Sequence, residues 1–247
     1  MNIQTDNLNN LNPLHFFDGE LGALHSLLLE ITDLLMYQLE QTLHALDYGD
    51  IDLALKVIAR DRKVDDYRMR IEHEVQNTLT RPSFLASDLR TVMIVAKMTD
   101  ALEKIGNEIV DLARQIQSIF DRGDCDPALM AEIVYIGGMV KIMLDKMMMV
   151  LETRNSNQAY KLMQYGWNCD TRLQQALKQQ FTLTIQSPPV IEHALDIMHI
   201  LKALERCACY CRNIAEYQIL MLDSIDMRSY STAAETGTNH AKATLPL

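Results

Sequence analysis

From Asp18 onward, apolar residues recur at Leu21, Leu24, Leu28, Ile31, Leu35, Leu39, Leu43 and Leu46, the three-to-four spacing that places them on one face of a helix. Tyr48-Gly49-Asp50 then supplies a stop and an N-cap for a second helix, whose stripe of Val57, Val64, Ile71, Val75 and Leu79 runs to the breaker Arg81-Pro82. Ser87 is placed to cap a third helix carrying Val92, Val95, Leu102, Ile109 and Ile116, closed by Gly123 and the turn-like Asp124-Cys125-Asp126-Pro127. The same order follows again: a helix from about Ala128 to Glu152, a turn at Asn155-Ser156-Asn157, a helix to about Ile185, the breaker Ser187-Pro188-Pro189 and a last helix to about Leu222.

The repetition reaches single residues. Ala101-Leu102-Glu103-Lys104-Ile105-Gly106-Asn107 aligns with Ala203-Leu204-Glu205-Arg206-Cys207-Ala208-Cys209, and the match continues from Asp111-Leu112-Ala113 to Asn213-Ile214-Ala215. A repeat of roughly a hundred residues is far longer than the 20–50 of solenoids, so it predicts a duplicated bundle and not an open array. The expected fold is all-α, two tandem antiparallel three-helix bundles set end to end, with repeat 1 over residues 16–124 and repeat 2 over 125–226. Residues 1–15 and 227–247 have no apolar period to offset the entropy of ordering, and both ends are expected to be disordered.

Composition agrees. A chain of 247 residues, 48% hydrophobic, can bury one large core or two of about a hundred residues each, and its 9 glycines and 6 prolines suit long helices with few connections. A formal net charge of −10 repels nucleic acid phosphates and anionic lipid headgroups, so nucleic acid is not an expected partner. No charge-free apolar stretch reaches the ~20 residues of a membrane span, and the start lacks the regions of a signal peptide; the protein is expected to be cytoplasmic, with no direct membrane insertion. The 5 cysteines are odd in number, with Cys207, Cys209 and Cys211 crowded in one helix, so reduced thiols are expected.

The chemistry with a pattern is carboxylate. Asp61 and Asp65 are four apart on one face of the second helix, and Glu103 and Asn107 have the same spacing on the third, with Gly106 between them to admit a neighbouring helix. Facing each other, these pairs would gather oxygen ligands for a hard cation; the competing reading is solvated or ion-paired helix faces. Cys207 and Cys211 share a face and Cys209 falls near Glu205, so a zinc-like site with Cys169 or Asp170 is conceivable, against their reading as small buried hydrophobes. His193, Asp196 and His199 have a metal-like spacing, yet His199 and Glu205 lie about 240° apart around the helix. Met139, Met143 and Met147 to Met149 form either core filling or an adaptable docking face. Paired Glu-x-x-His motifs, a Gly-rich phosphate loop, a nucleophile elbow and His-Glu-x-x-His are all missing from the sequence, so an enzyme is not expected.

Ser87-Asp88-Leu89-Arg90-Thr91-Val92-Met93 with Ala101-Leu102-Glu103-Lys104-Ile105-Gly106-Asn107 resembles the signature third helix of PhoU proteins, and Asp61-Arg62-Lys63-Val64-Asp65 is similar to their second-helix motif. The resemblance runs from about Phe16 to Leu222. It implies a cytoplasmic regulator that binds the ATPase subunit of the phosphate ABC transporter and a membrane sensor histidine kinase, restrains the phosphate-starvation response when phosphate is plentiful, and forms a homodimer. It also implies metal (iron, manganese, magnesium or zinc) at acid-x-x-x-Asp pairs. Carried over residue by residue, repeat 1 keeps Asp61, Asp65 and Glu103, with Asn107 in place of the usual Asp. Repeat 2 keeps Asp170 and Glu205, but Gly166 and Cys209 stand where the other two acids are expected, so a mononuclear metal or none is implied there. A metal-buffering bundle, a PhoU paralogue with other partners, and a redox enzyme built on the cysteines are the alternatives.

Overall fold

The computed structural model describes residues 20–80, 86–123, 127–186 and 191–238, and within them the chain is helical: α1 (Glu20–Tyr48), α2 (Ile51–Ala59), α3 (Asp61–Leu79), α4 (Ala86–Arg122), α5 (Pro127–Thr153), α6 (Ser156–Gln186) and α7 (Ile191–Thr238). Among the described residues no helix is long and apolar enough to cross a membrane. The residues 1–15 that were expected to be disordered lie outside the described residues, as do Arg81-Pro82 and Ser187-Pro188-Pro189.

The stop after α1 is the one read from sequence. Gly49 takes φ +69°, a left-handed conformation that costs glycine nothing, and the Asp50 side chain accepts a hydrogen bond from the Leu53 backbone N–H at 3.0 Å as the N-cap of α2. The expected second helix is in fact broken at Arg60, into α2 and α3. No glycine or proline marks the break. Arg60 N–H turns back to the Val57 carbonyl at 3.0 Å, the tighter three-residue closure that ends a helix, while the fully buried Gln38 of α1 donates to the Arg60 carbonyl at 3.5 Å. At the other end α7 runs to Thr238, past the expected end near Leu222 and into the tail expected to be disordered from residue 227. No residue between Asp223 and Glu235 is a glycine or proline, and extending an existing helix needs no fresh nucleation.

Each repeat is a three-rod bundle: α1, the α2–α3 pair and α4 in the first, α5, α6 and α7 in the second. The bundles are not end to end. They lie side by side and share one continuous core, because α1 packs along α5 and α4 along α7. The contacts march antiparallel. Along the α4–α7 seam the Lys97 ammonium lies over the Tyr217 ring, Lys104 over Tyr210, Arg206 Nε donates to Glu108 Oε1 at 2.5 Å, and Arg122 pairs with Asp196. Along α1–α5 the His25 ring donates to the Leu151 carbonyl at 2.8 Å, Lys141 binds Glu40 at 2.6 Å, and Leu43 fills the space over Gly137.

The cause is the width of the apolar face. Besides the expected stripe, α4 buries Ile94, Ala101, Leu112 and Ile119, which recur by helical spacing on the flank of Glu108. A bundle of three rods covers only one flank of each, so this second flank needs a neighbour, and burying each of its larger side chains stabilises by about 1.5–3 kcal/mol. Gly106 sits where Val64 of α3 and Leu35 of α1 converge, the close helix approach expected of it.

Candidate functional site

Each repeat has a polar seam where its second rod meets its third, α3 against α4 and α6 against α7, and the matched Glu103 and Glu205 stand at corresponding places in the two. The expected ligands do not converge there. Among the described residues, no three His, Cys, Asp or Glu side chains could hold a metal ion together.

In repeat 1, Glu103 is half-buried and faces Arg68 of α3, whose Nε lies 3.4 Å from Glu103 Oε2 while its Nη1 binds Glu72 at 2.6 Å. Arg68 therefore supplies Glu103 with a positive charge from the protein itself. Asp65 and Asn107 are exposed. Asp61 is half-buried, at the edge of the core stripe as expected, and its carboxyl is pushed above the ordinary range by burial first and then by the charge of Asp65, with Asp111 adding to the rise and Arg114 opposing it. Asp111, one turn beyond Asn107, is itself tied to Arg114 at 2.8 Å.

In repeat 2, Asp170 of α6 is held by Arg212 of α7, Nη1 to Oδ2 at 2.5 Å, and Glu205 accepts from the Gln174 amide at 2.5 Å and from Lys202 at 2.6 Å. Burial pulls the Arg212 guanidinium down, but the hydrogen bond and charge of Asp170 outweigh it and hold its pKa above the ordinary value, and Cys209 beside it is half-buried. Glu103 and Asp170 are thus each neutralised by a guanidinium and Glu205 by Lys202, so these acids are engaged with protein partners in both seams. Arg212 was legible only in part: it follows Glu205 by two turns on one face, but its opposite number Gly166 becomes visible only once α6 and α7 are paired.

Cys169, Cys207 and Cys211 are buried, and burial pushes their thiols up, Cys169 to about 11 and Cys207 and Cys211 well above the ordinary value. A buried thiol held protonated is a poor nucleophile, which matches the small-hydrophobe reading of these three. Met143 and Met147 are buried in the core, Met139 and Met148 half-buried, and only Met149 is exposed, so the methionine face is chiefly core filling. His199 is exposed, and Asp196 pairs with Arg122.

Comparison with known proteins follows the duplication. The chain matches the PhoU domain over residues 28–116 and 133–218. The phosphate-specific transport system accessory protein PhoU homologue of Pseudomonas aeruginosa is 29% identical over 212 residues, 86% of this chain and 87% of that one. Its counterpart from Pseudomonas putida is 29% identical over 231 residues, 92% and 90% of the two chains. The crystal structure of PhoU from Pseudomonas aeruginosa superposes with a TM-score of 0.79 at 29% identity, covering 84% of this chain and 99% of that one. The phosphate transport system regulatory protein PhoU from Streptococcus pneumoniae, 22% identical with a TM-score of 0.73 over 83% and 96% of the two chains, shares the fold. Each matched segment begins in or beside the first helix of one bundle and ends in its third, and the chain belongs to the PhoU family.

Proposed function

We propose that this protein is a cytoplasmic regulator of phosphate uptake and phosphate-starvation signalling. It acts by binding the ATPase subunit of the phosphate ABC transporter and a sensor histidine kinase, and represses the phosphate regulon when phosphate is plentiful. The observation that carries this reading is likeness along both repeats to relatives named as phosphate-specific transport accessory proteins, over 86% of this chain and 87% of the Pseudomonas aeruginosa one. Its mechanism is differential binding: contacts made in one state of the transporter or kinase and lost in the other, since a bound protein shifts an equilibrium only by its difference in affinity for the two states. No bond is made or broken. Affinity capture from phosphate-replete and phosphate-starved cells, followed by identification of the bound proteins, tests it. Recovery of the transporter ATPase and the kinase, with a yield that changes between the conditions, is expected; absence of both in both conditions would overturn the reading.

The alternative, a metal-binding bundle, draws on one observation, the crowding of Asp61 by Asp65 and Asp111, which a cation would relieve. On that reading, protein purified without chelator carries metal, and Asp61→Ala or Glu103→Ala lowers its content while leaving helicity nearly unchanged. Elemental analysis beside circular dichroism decides it, and equal metal content in wild type and variants removes the site.

A further inference from the structure

The two repeats treat the same seam differently. Where repeat 1 has Asp61, repeat 2 has Gly166, and a Cβ added at Gly166 would meet Arg212 Cδ at 2.7 Å and Cγ at 2.9 Å. The missing side chain is thus the space through which the Arg212 stem crosses from α7 to α6. Its guanidinium ends on Asp170 Oδ2 at 2.5 Å, one of the two acids that repeat 2 keeps. The other, Glu205, has both oxygens occupied by Gln174 and Lys202. One acceptor remains, the buried Asp170 Oδ1, which has no hydrogen-bond partner. A metal on that single oxygen would stand against the guanidinium on its sister, short of ligands and repelled. At the matching place in repeat 1 the third helix carries Val110, buried and uncharged, so the arginine is a feature of repeat 2 alone.

We propose that Arg212 is the built-in cation of repeat 2: Gly166 makes room for its stem, Asp170 holds its head, and the seam that resembles a metal site is closed by a permanent organic charge instead of an exchangeable ion. Repeat 2 is then indifferent to metal supply, and whatever metal sensitivity the protein has belongs to repeat 1. An arginine suits this place because its guanidinium is planar, carries several donors and stays charged at any physiological pH. The inference does not depend on the phosphate reading.

Two experiments on the full-length chain test it. The first is a mutant cycle. In an otherwise wild-type chain, Gly166→Ala should lower Tm by about 4 °C or more, because the Arg212 stem must shift off Asp170. In an Arg212→Ala background the same change should leave Tm level or raise it, since alanine is the better helix former once the clash is gone. An equal loss in both backgrounds would show that the glycine does not serve the arginine and would overturn the proposal. The second uses cobalt(II) as the probe and reads the near-ultraviolet thiolate–cobalt band together with Tm. Wild type should show no such band, whereas Gly166→Asp with Arg212→Ala, which restores an acid and removes the internal cation, should gain the band and a cobalt-dependent rise in Tm. A band in wild type that Cys209→Ser abolishes would overturn the proposal, as would a folded double variant, checked by circular dichroism, that fails to bind.

Discussion

Burial holds the His25 imidazole neutral. Its pKa lies below the ordinary 6.5 chiefly through desolvation; the hydrogen bond to Leu151 pulls it back up, and Arg154, whose Nε is 3.4 Å away, pushes it further down. The fold therefore binds this proton less readily than the unfolded chain. Stability from His25 is intact above pH 6.5, is lost as pH falls and the unfolded state takes up its proton first, and levels off below the folded pKa. Thermal denaturation between pH 8 and pH 5 should show this fall, and His25→Gln, which keeps a donor for Leu151 and does not titrate, should flatten it. An unchanged slope in the variant would assign the fall to other groups. Asp61 and Glu103 show how far single residues could be read beforehand. Their helix faces follow from spacing, but the Arg68 that meets Glu103 and the Asp111 and Arg114 charges that act on Asp61 lie on the facing helix, and spacing along one helix carries no information about the helix opposite.

At the scale of the element, Gly137 marks the crossing of α1 and α5. A Cβ there would lie 2.2 Å from Leu43 Cδ2, and Leu43 is buried with little room to turn. Gly137→Ala gains about 1 kcal/mol of helix propensity but overpacks the crossing by about 1–3 kcal/mol. The net expectation is a loss of up to about 2 kcal/mol, a Tm lowered by up to roughly 8 °C in a chain of this length, and a Tm above wild type would mean that α5 does not approach α1 so closely. The caps at Gly49 and Asp50 were legible because their cause is local: a left-handed turn residue followed by a short acceptor side chain. The break at Arg60 was not. Residues 59 to 61 read as ordinary helix, and what stands against the break is Gln38, twenty-two residues back in the chain and wholly buried.

For the whole molecule, the shared core predicts one unfolding event instead of two. The only tryptophan, Trp167, lies in repeat 2, whereas helical circular dichroism reports on both repeats. Followed by these two signals, guanidinium unfolding should give coincident transitions, because separating the bundles would strip cover from the second flank of α4 and from the α1–α5 face. Transitions with different midpoints would mean that the bundles are stable alone and that their contact adds little. The same flank explains the one error of architecture. Ile94, Ala101, Leu112 and Ile119 were present in the sequence as a second apolar row on α4, a sign that this helix is covered from two sides.

What the sequence by itself determined is what depends on near neighbours: helical periods, turns and caps, and the duplication, since each is written in residues at most a few turns apart or copied in register. What only the tertiary structure decided is which faces meet. The side-by-side bundles, the break at Arg60 and the arginines of the acidic seams all join residues far apart in the chain, and their energy comes from burial and charge pairing that exist only once the helices have packed.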